Sequence, residues 1–148
     1  MTDPGAPVRL RKLASWQTGR VSTLGARLTA ARMPLESRSD FAVLAALEEY
    51  GELSQAEIGR RLGLDRNNVN GIVTRLDDHG HIERRTDPAD RRRNIVAATE
   101  AGLRHLRELD ALAQQVQDEL LAALDADERE QLRLLLEKTL TGHPAQPA

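Results

Sequence analysis

The stretch I-E-R-R-T-D-P-A-D-R-R-R-N-I-V-A-A-T, from Ile82 to Thr99, carries five arginines around a turn built of Asp87, Pro88, Ala89 and Asp90. They are Arg84, Arg85, Arg91, Arg92 and Arg93. Proline fixes its own φ and biases the residue before it toward extended backbone, so D-P-A-D predicts a tight reversal. The flanks read as two short antiparallel strands, with Ile95 and Val96 as the β-branched pair on the return. A hairpin with arginines at its tip has the shape and charge to enter a nucleic-acid groove. A charged hairpin alone is more often a solvated loop, so the residues upstream decide its meaning.

Upstream, Ser54 followed by Glu57 is a capping-box pattern and predicts a helix start. Ala56, Ile58, Leu62 and Leu64 supply its apolar positions, and Gly63 is a natural C-terminal stop. Asp65 is the next N-cap, after which Val69, Ile72, Val73 and Leu76 recur at helical spacing and Gly80 closes the second helix. Two short helices joined by a glycine-containing turn make a helix-turn-helix. The second helix displays Arg66, Asn67, Asn68, Asn70 and Arg75. Asparagine can bond adenine N6 and N7 together, and arginine reads guanine O6 and N7 or grips phosphate. Helix, turn, helix and basic hairpin in that order predict a winged helix-turn-helix.

The run from Gly51 to Gly102 resembles the MarR family of bacterial transcription regulators. G-E-L-S-Q-A-E-I-G-R-R-L-G-L-D-R-N-N-V is similar to that family's turn, capped helix and recognition helix, and D-P-A-D-R-R-R-N-I-V-A-A-T-E-A-G to its wing and the helix after it. The family's D-x-R wing motif falls on Asp90 and Arg92. Many members carry Arg or Lys where this chain has Gly71, which implies that part of the usual base readout is either absent or moved to Asn67 and Asn68. The DNA-contacting set expected here is Ser54, Gln55, Arg66, Asn67, Asn68, Asn70, Gly71, Arg75, Arg91, Arg92 and Arg93. Arg92 is the candidate minor-groove finger, with Arg91 and Arg93 on phosphates. Asp90 would repel phosphate, so its expected part is structural, accepting hydrogen bonds from Arg92 or the wing backbone.

With 148 residues the chain has the length of one domain. Only 2% of its residues are aromatic, and its abundance of Leu and Ala favours helices. It has no cysteine, which removes thiol catalysis, disulfides, Cys-based zinc sites and Cys redox sensing together. The N-terminal M-T-D-P-G-A-P lacks the pattern of a signal peptide, and no apolar run reaches the roughly 20 residues of a membrane span, so a cytoplasmic location without membrane contact is expected. The net charge of −2 is segregated. Ser54 to Ala97 holds nine Arg against seven Asp and Glu, whereas Thr99 to Lys138 holds five Arg and Lys against ten Asp and Glu. A local basic face matters more for nucleic acid than the overall balance.

The expected fold class is mainly α, formally α+β: a winged helix-turn-helix lobe at about 37–98 between flanking dimerisation helices at about 8–31 and 99–141, all in one domain. The first helix carries Leu10, Leu13, Val21, Leu24 and Leu28 and is interrupted by Gly19 and Gly25, as weak points or as close-packing sites. Met33-Pro34 ends it, and a second helix runs from about Ser37 to Tyr50. Leu103, Leu106, Leu109, Ala113, Val116 and Leu120 step along a helix at about 99–123, and Asp125 with Glu128 starts the last one. Residues 1–7 and about 142–148 are expected to be disordered. In the resembling family such outer helices build a homodimer, while the alternative for the stripes is a monomeric bundle. Trp16 is a candidate for the dimer core or for the wall of an effector pocket. His79 and His81 suggest metal binding, but exposed turn histidines fit that spacing better, and no metal or other cofactor is expected. No phosphate loop, nucleophile elbow or His/Asp constellation is present, so an enzyme is not expected. The function expected is a ligand-responsive repressor that binds a double-stranded, pseudo-palindromic DNA operator as a homodimer. The alternative is a winged-helix module that contacts protein.

Overall fold

The computed structural model describes residues 5–144. The chain runs as α1 (Val8–Arg11), α2 (Ala14–Arg32), α3 (Leu35–Tyr50), β1 (Leu53–Ser54), α4 (Gln55–Leu62), α5 (Arg66–Asp78), β2 (Ile82–Thr86), β3 (Asn94–Ala98), α6 (Glu100–Leu120) and α7 (Ala126–Thr141). Of the ends expected to be disordered, residues 1–4 and 145–148 lie outside the described residues.

The helix-turn-helix forms where its capping residues predict. Ser54 Oγ accepts from the Glu57 N–H at 3.1 Å, and the Glu57 carboxylate accepts from the Ser54 N–H at 3.0 Å. Gly63 ends α4 at a φ of 66°, a left-handed conformation that glycine adopts without steric cost. Asp65 Oδ1 then caps α5 by accepting from the Asn68 N–H at 2.8 Å. The turn folds back so closely that a Cβ at Gly59 would stand 2.9 Å from the Leu64 carbonyl oxygen. The buried face of α5 is Val69, Ile72, Val73 and Leu76. It joins Val43, Leu44 and Leu47 of α3, Ile58 of α4 and Ile82 and Val96 of the sheet in one core. Each such side chain taken fully out of water contributes about 1.5–3 kcal/mol.

The strands form an antiparallel sheet in the order β1-β3-β2. Ile82 pairs with Ala98 and Thr86 with Asn94, which leaves residues 87–93 as the wing tip. This reversal is wider than D-P-A-D alone suggested. The Asp87 N–H bonds the Arg93 carbonyl at 2.8 Å, and two aspartates fold the loop between them: Asp87 accepts from the Ala89 N–H at 2.9 Å, Asp90 from the Arg92 N–H at 3.0 Å. Strand β1 was not anticipated. It is only Leu53 and Ser54, pairing with Val96 and Ile95, and it anchors the wing to the start of α4.

The flanks differ from expectation in two places. The first helix breaks at Lys12-Leu13, not at its glycines, and Gln17 Nε2 donates to the freed Arg11 carbonyl at 2.8 Å. Gly25 faces α6 but leaves room for a side chain, since a Cβ there would lie at an ordinary contact distance of 3.6 Å from Leu120. Secondly, the apolar stripe of α6 is largely used within the chain, where Leu106, Leu109 and Val116 are buried. The apolar residues of α1, α2 and α7 are not, and Leu13, Val21, Leu24, Leu135 and Leu140 all stay exposed.

Two contacts lock α5 to its neighbours. Arg75, in its last turn, forms an ion pair with buried Asp40 of α3 and donates to the Glu36 carbonyl at 3.2 Å. Beyond the end of α5, the chain meets α6 with no room for a side chain: a Cβ at Gly102 would collide with the His81 carbonyl oxygen. Thr99 secures this junction, donating from its backbone N–H to the His81 carbonyl at 3.1 Å and from Oγ1 to the Gly80 carbonyl at 2.7 Å. Its Oγ1 also accepts from the Gly102 N–H at 3.0 Å.

Two stability predictions result. Gly102→Ala is expected to lower unfolding free energy by about 1–3 kcal/mol through overpacking, read from the urea midpoint at unchanged m-value. Arg75→Ala, which strands a buried carboxylate, is expected to cost about 3 kcal/mol, whereas exposed Arg66→Ala should stay within about 0.5 kcal/mol. Equal losses from the two arginine variants would show that the Arg75–Asp40 pair does not hold α5.

Candidate nucleic-acid interface

Because α5 buries Val69, Ile72, Val73 and Leu76, the opposite face of the same helix must point outward. That face carries Arg66, Asn67, Asn70 and Gly71, all exposed. A groove runs between it and the wing, lined by Gln55, Ala56, Gly59 and Arg60 of α4, Arg66, Asn67 and Asn70 of α5, and Arg92, Arg93 and Asn94 of the wing. Arg66, Asn67, Asn70 and Arg60 make no hydrogen bond or ion pair among the described residues, so their polar groups remain available to a ligand.

The wing tip is pinned while its charge stays exposed. Asp90 Oδ1 accepts from the Arg92 backbone and lies 3.7 Å from Arg92 Nε, yet the Arg92 side chain is 96% exposed. Arg93 stands 3.7 Å from Glu57, which ties the tip back to the capping box of α4. Asn94 Nδ2 donates to Gln55 Oε1 at 3.2 Å and adds a second tie between wing and α4. Arg91 is exposed at the tip but outside the groove lining. Arg84 and Arg85 face other partners, Asp77 at 3.5 Å and Glu52 at 2.7 Å.

Several of the expected residues have other partners in this geometry. Arg75 is committed to Asp40 on the α3 side of the helix and does not line the groove, because its position shares the face of Ile72 and Leu76 more than that of Asn70. Asn68 Nδ2 donates to Asp65 Oδ2 at 2.9 Å, so this side chain completes the N-cap and leaves the groove to Asn67 and Asn70. Ser54 borders the groove but is buried, and its hydroxyl oxygen serves the capping box. Gly71 faces open space, with nothing within 4 Å of a built Cβ. Trp16 is partly buried on α2, its ring 5.8 Å from the Arg20 guanidinium carbon, and lies away from the groove.

Sequence reasoning missed Arg60 and Asn94. Ala56, Gly59 and Arg60 stand three and four residues apart, the spacing of one helix face, so the pattern was available. Asn94 had no such signal, since its neighbour in the groove comes from a strand pairing 39 residues away from Gln55. Arg61, beside Arg60, points elsewhere and stacks on Tyr50 at 3.8 Å.

A MarR family profile matches residues 37–93. The chain is 35% identical over 100 residues to the transcriptional repressor NicR of Pseudomonas putida, a match that covers 68% of this chain and 63% of NicR. Among solved structures, the PcaV transcriptional regulator of Streptomyces coelicolor, in complex with its natural ligand, is similar with a TM-score of 0.71 and 30% identity over 92% of this chain and 97% of PcaV. A cysteine-to-serine mutant of MarR from E. coli, complexed with operator DNA, is similar with a TM-score of 0.62 and 25% identity, covering 90% of this chain and 94% of that one. With the capped helix-turn-helix, the three-stranded wing and these likenesses together, the chain belongs to the MarR family.

Proposed function

We propose that the chain is a cytoplasmic, ligand-responsive repressor that binds a pseudo-palindromic double-stranded DNA operator as a homodimer. The observation that carries this reading is the groove between α5 and the wing, where Arg66, Asn67 and Asn70, which make no hydrogen bond or ion pair among the described residues, meet the 96% exposed side chain of Arg92. The helix face enters a major groove, with Asn67 and Asn70 at base edges and Arg66 and Arg60 on phosphates. Arg92 reaches the adjacent minor groove, and Arg91 and Arg93 grip phosphates beside it. Asp90 holds the tip. Arg75, Asn68 and Ser54 position the helix, Gln55 steadies the wing through Asn94, and Gly71 lets the DNA approach closely. Repression accords with the name of NicR, and an effector with the ligand held by PcaV. Trp16 is the candidate aromatic wall for such an effector.

Dimerisation rests on the flanking helices, about 8–31 and 99–141, outside the DNA-binding lobe at about 37–98. Val8, Leu10, Leu13, Val21, Leu24, Leu134, Leu135, Leu136 and Leu140 are each at least 40% exposed. So many large aliphatics in water on α1, α2 and α7 call for a second surface of the same kind. A two-fold dimer sets its recognition helices about 34 Å apart, one turn of DNA, which is why the operator should be a pseudo-palindrome.

Light scattering at micromolar concentration should return twice the 16.4 kDa chain mass; a clean monomer would overturn the dimer. Binding to a selected operator should weaken steeply with salt, as counterion release requires, and Arg92→Ala should lower the slope by about one while Arg61→Ala leaves it unchanged. Salt-independent binding would point to a protein partner in place of DNA. In a randomised-site selection at one salt concentration, Asn67→Ala or Asn70→Ala should change the preferred bases, with about 1–3 kcal/mol of discrimination at stake. Asn68→Ala should weaken all sequences alike.

A further inference from the structure

Three histidines that the DNA-contacting groove does not use are stacked in a column at the foot of the recognition helix. The His79 and His81 rings lie 5.9 Å apart, and those of His81 and His105 lie 4.4 Å apart, each pair inclined by 15°. The column closes a circuit of contacts. His79, the C-cap of α5, has its Nδ1 2.7 Å from the Arg75 carbonyl, to which it can only donate. Arg75 pairs with Asp40 of α3, and Asp40 lies 3.6 Å from His105 Nε2 on α6. His105 stacks on His81, and His81 stacks on His79.

The circuit surrounds the joint where α6 touches the end of α5. The His81 N–H donates to the Leu76 carbonyl at 2.9 Å, and the His81 carbonyl receives the Thr99 N–H at the spot where Gly102 leaves no space. A ring that moves here therefore acts on α5 and α6 together. We propose that this histidine column is a proton-sensitive joint, which stacks when uncharged and opens on protonation, so that acidification releases the recognition helix and weakens operator binding. The operator half of this inference rests on the DNA-binding reading above; the joint itself does not.

The charges around the column set the direction. Burial, then the positive charge of His105 and His79, lower the His81 pKa below its ordinary value of 6.5, against the pull of Asp40 and Glu108. Glu108 stands 3.9 Å from His105 Nδ1, and Arg75 neutralises much of Asp40 from the α5 side. The groups facing the column are thus Asp40 from α3, Arg75 and His79 from α5, and His105 and Glu108 from α6. A histidine that binds its proton less readily when folded costs nothing above pH 6.5. As pH falls through 6.5 toward the lower folded value, the unfolded or opened form takes up the proton first, and the closed joint loses stability. Two rings stacked at 4.4 Å repel each other once both carry a proton.

The test uses the full chain at about pH 7.5 and about pH 5.5, either side of an ordinary histidine. Operator affinity by fluorescence anisotropy is expected to fall about fivefold or more on acidification. His81→Gln and, independently, His105→Gln should flatten that dependence, while His143→Gln, outside the column, should keep it. In the free protein, the His81 Cε1 proton should titrate below 6.5 by NMR, and the Thr99 and Gly102 amides should lose protection at the lower pH in wild type but not in His81→Gln. A His81 titration at or above 6.5, or equal pH dependence of affinity and amide protection in wild type and both column variants, would overturn the proposal. If no operator were bound at either pH, the DNA reading would fail, and the amide protection would still decide whether the joint opens. Should either column variant fail to fold, the wild-type titration and exchange data stand without it.

Discussion

The Arg75 guanidinium sits between α3 and α5, partly shielded from water, and pairs there with the buried carboxylate of Asp40. A buried pair of this kind adds little net stability over an apolar contact, but losing one partner is costly, so it specifies one placement of the helix. Only one azimuth of α5 brings Arg75 to Asp40 while Val69, Ile72, Val73 and Leu76 stay in the core. That azimuth turns Arg66, Asn67 and Asn70 toward the wing. The polar pair and the apolar face thus impose the same orientation, and the interface is its consequence.

The wing depends on the opposite end of the helix-turn-helix. Its two strands alone would be a hairpin of marginal stability in water. Pairing with β1, the Gln55–Asn94 hydrogen bond and the Arg93–Glu57 contact attach it to the capped start of α4. Glu57 consequently serves both the cap and the wing. The aspartates in this basic region are spent on backbone: Asp65 caps α5, and Asp87 and Asp90 fold the tip. Their negative charge lets the arginines crowd together, and their oxygens are turned into the loop. This explains how a lobe with nearly balanced formal charge can present a basic edge.

The acidic excess lies outside this region, in α6 and α7. Arg129 joins the two helices through Asp118 at 2.9 Å and the Leu124 carbonyl at 3.1 Å. No helix among the described residues is long and apolar enough to cross a membrane. The exposed leucines of α1, α2 and α7 lie outside the core that α3 to α6 form with the sheet, and that core closes without them.

The local signals in the sequence determined most of the elements. Ser54, Gly63, Asp65, Thr99 and Asp125 mark helix ends through hydrogen bonds that reach no further than three or four residues, and a period near 3.6 marked the buried face of α5. Asn67 and Asn70 on the outward face and Arg92 at the wing tip were legible for the same reason. What the sequence could not contain was any contact between distant residues. Strand β1 is too short to show a period. Arg75 looked like a DNA contact because Asp40 is 35 positions away, and Asn68 because its side chain's choice between cap and groove depends on rotamer. Asn94 entered the groove through strand pairing, and His79, His81 and His105 became neighbours only when α6 packed against the end of α5. Short-range hydrogen bonding and periodicity are written along the chain. The partners of its charged side chains were decided by packing, because burial determines which opposite charge lies within reach.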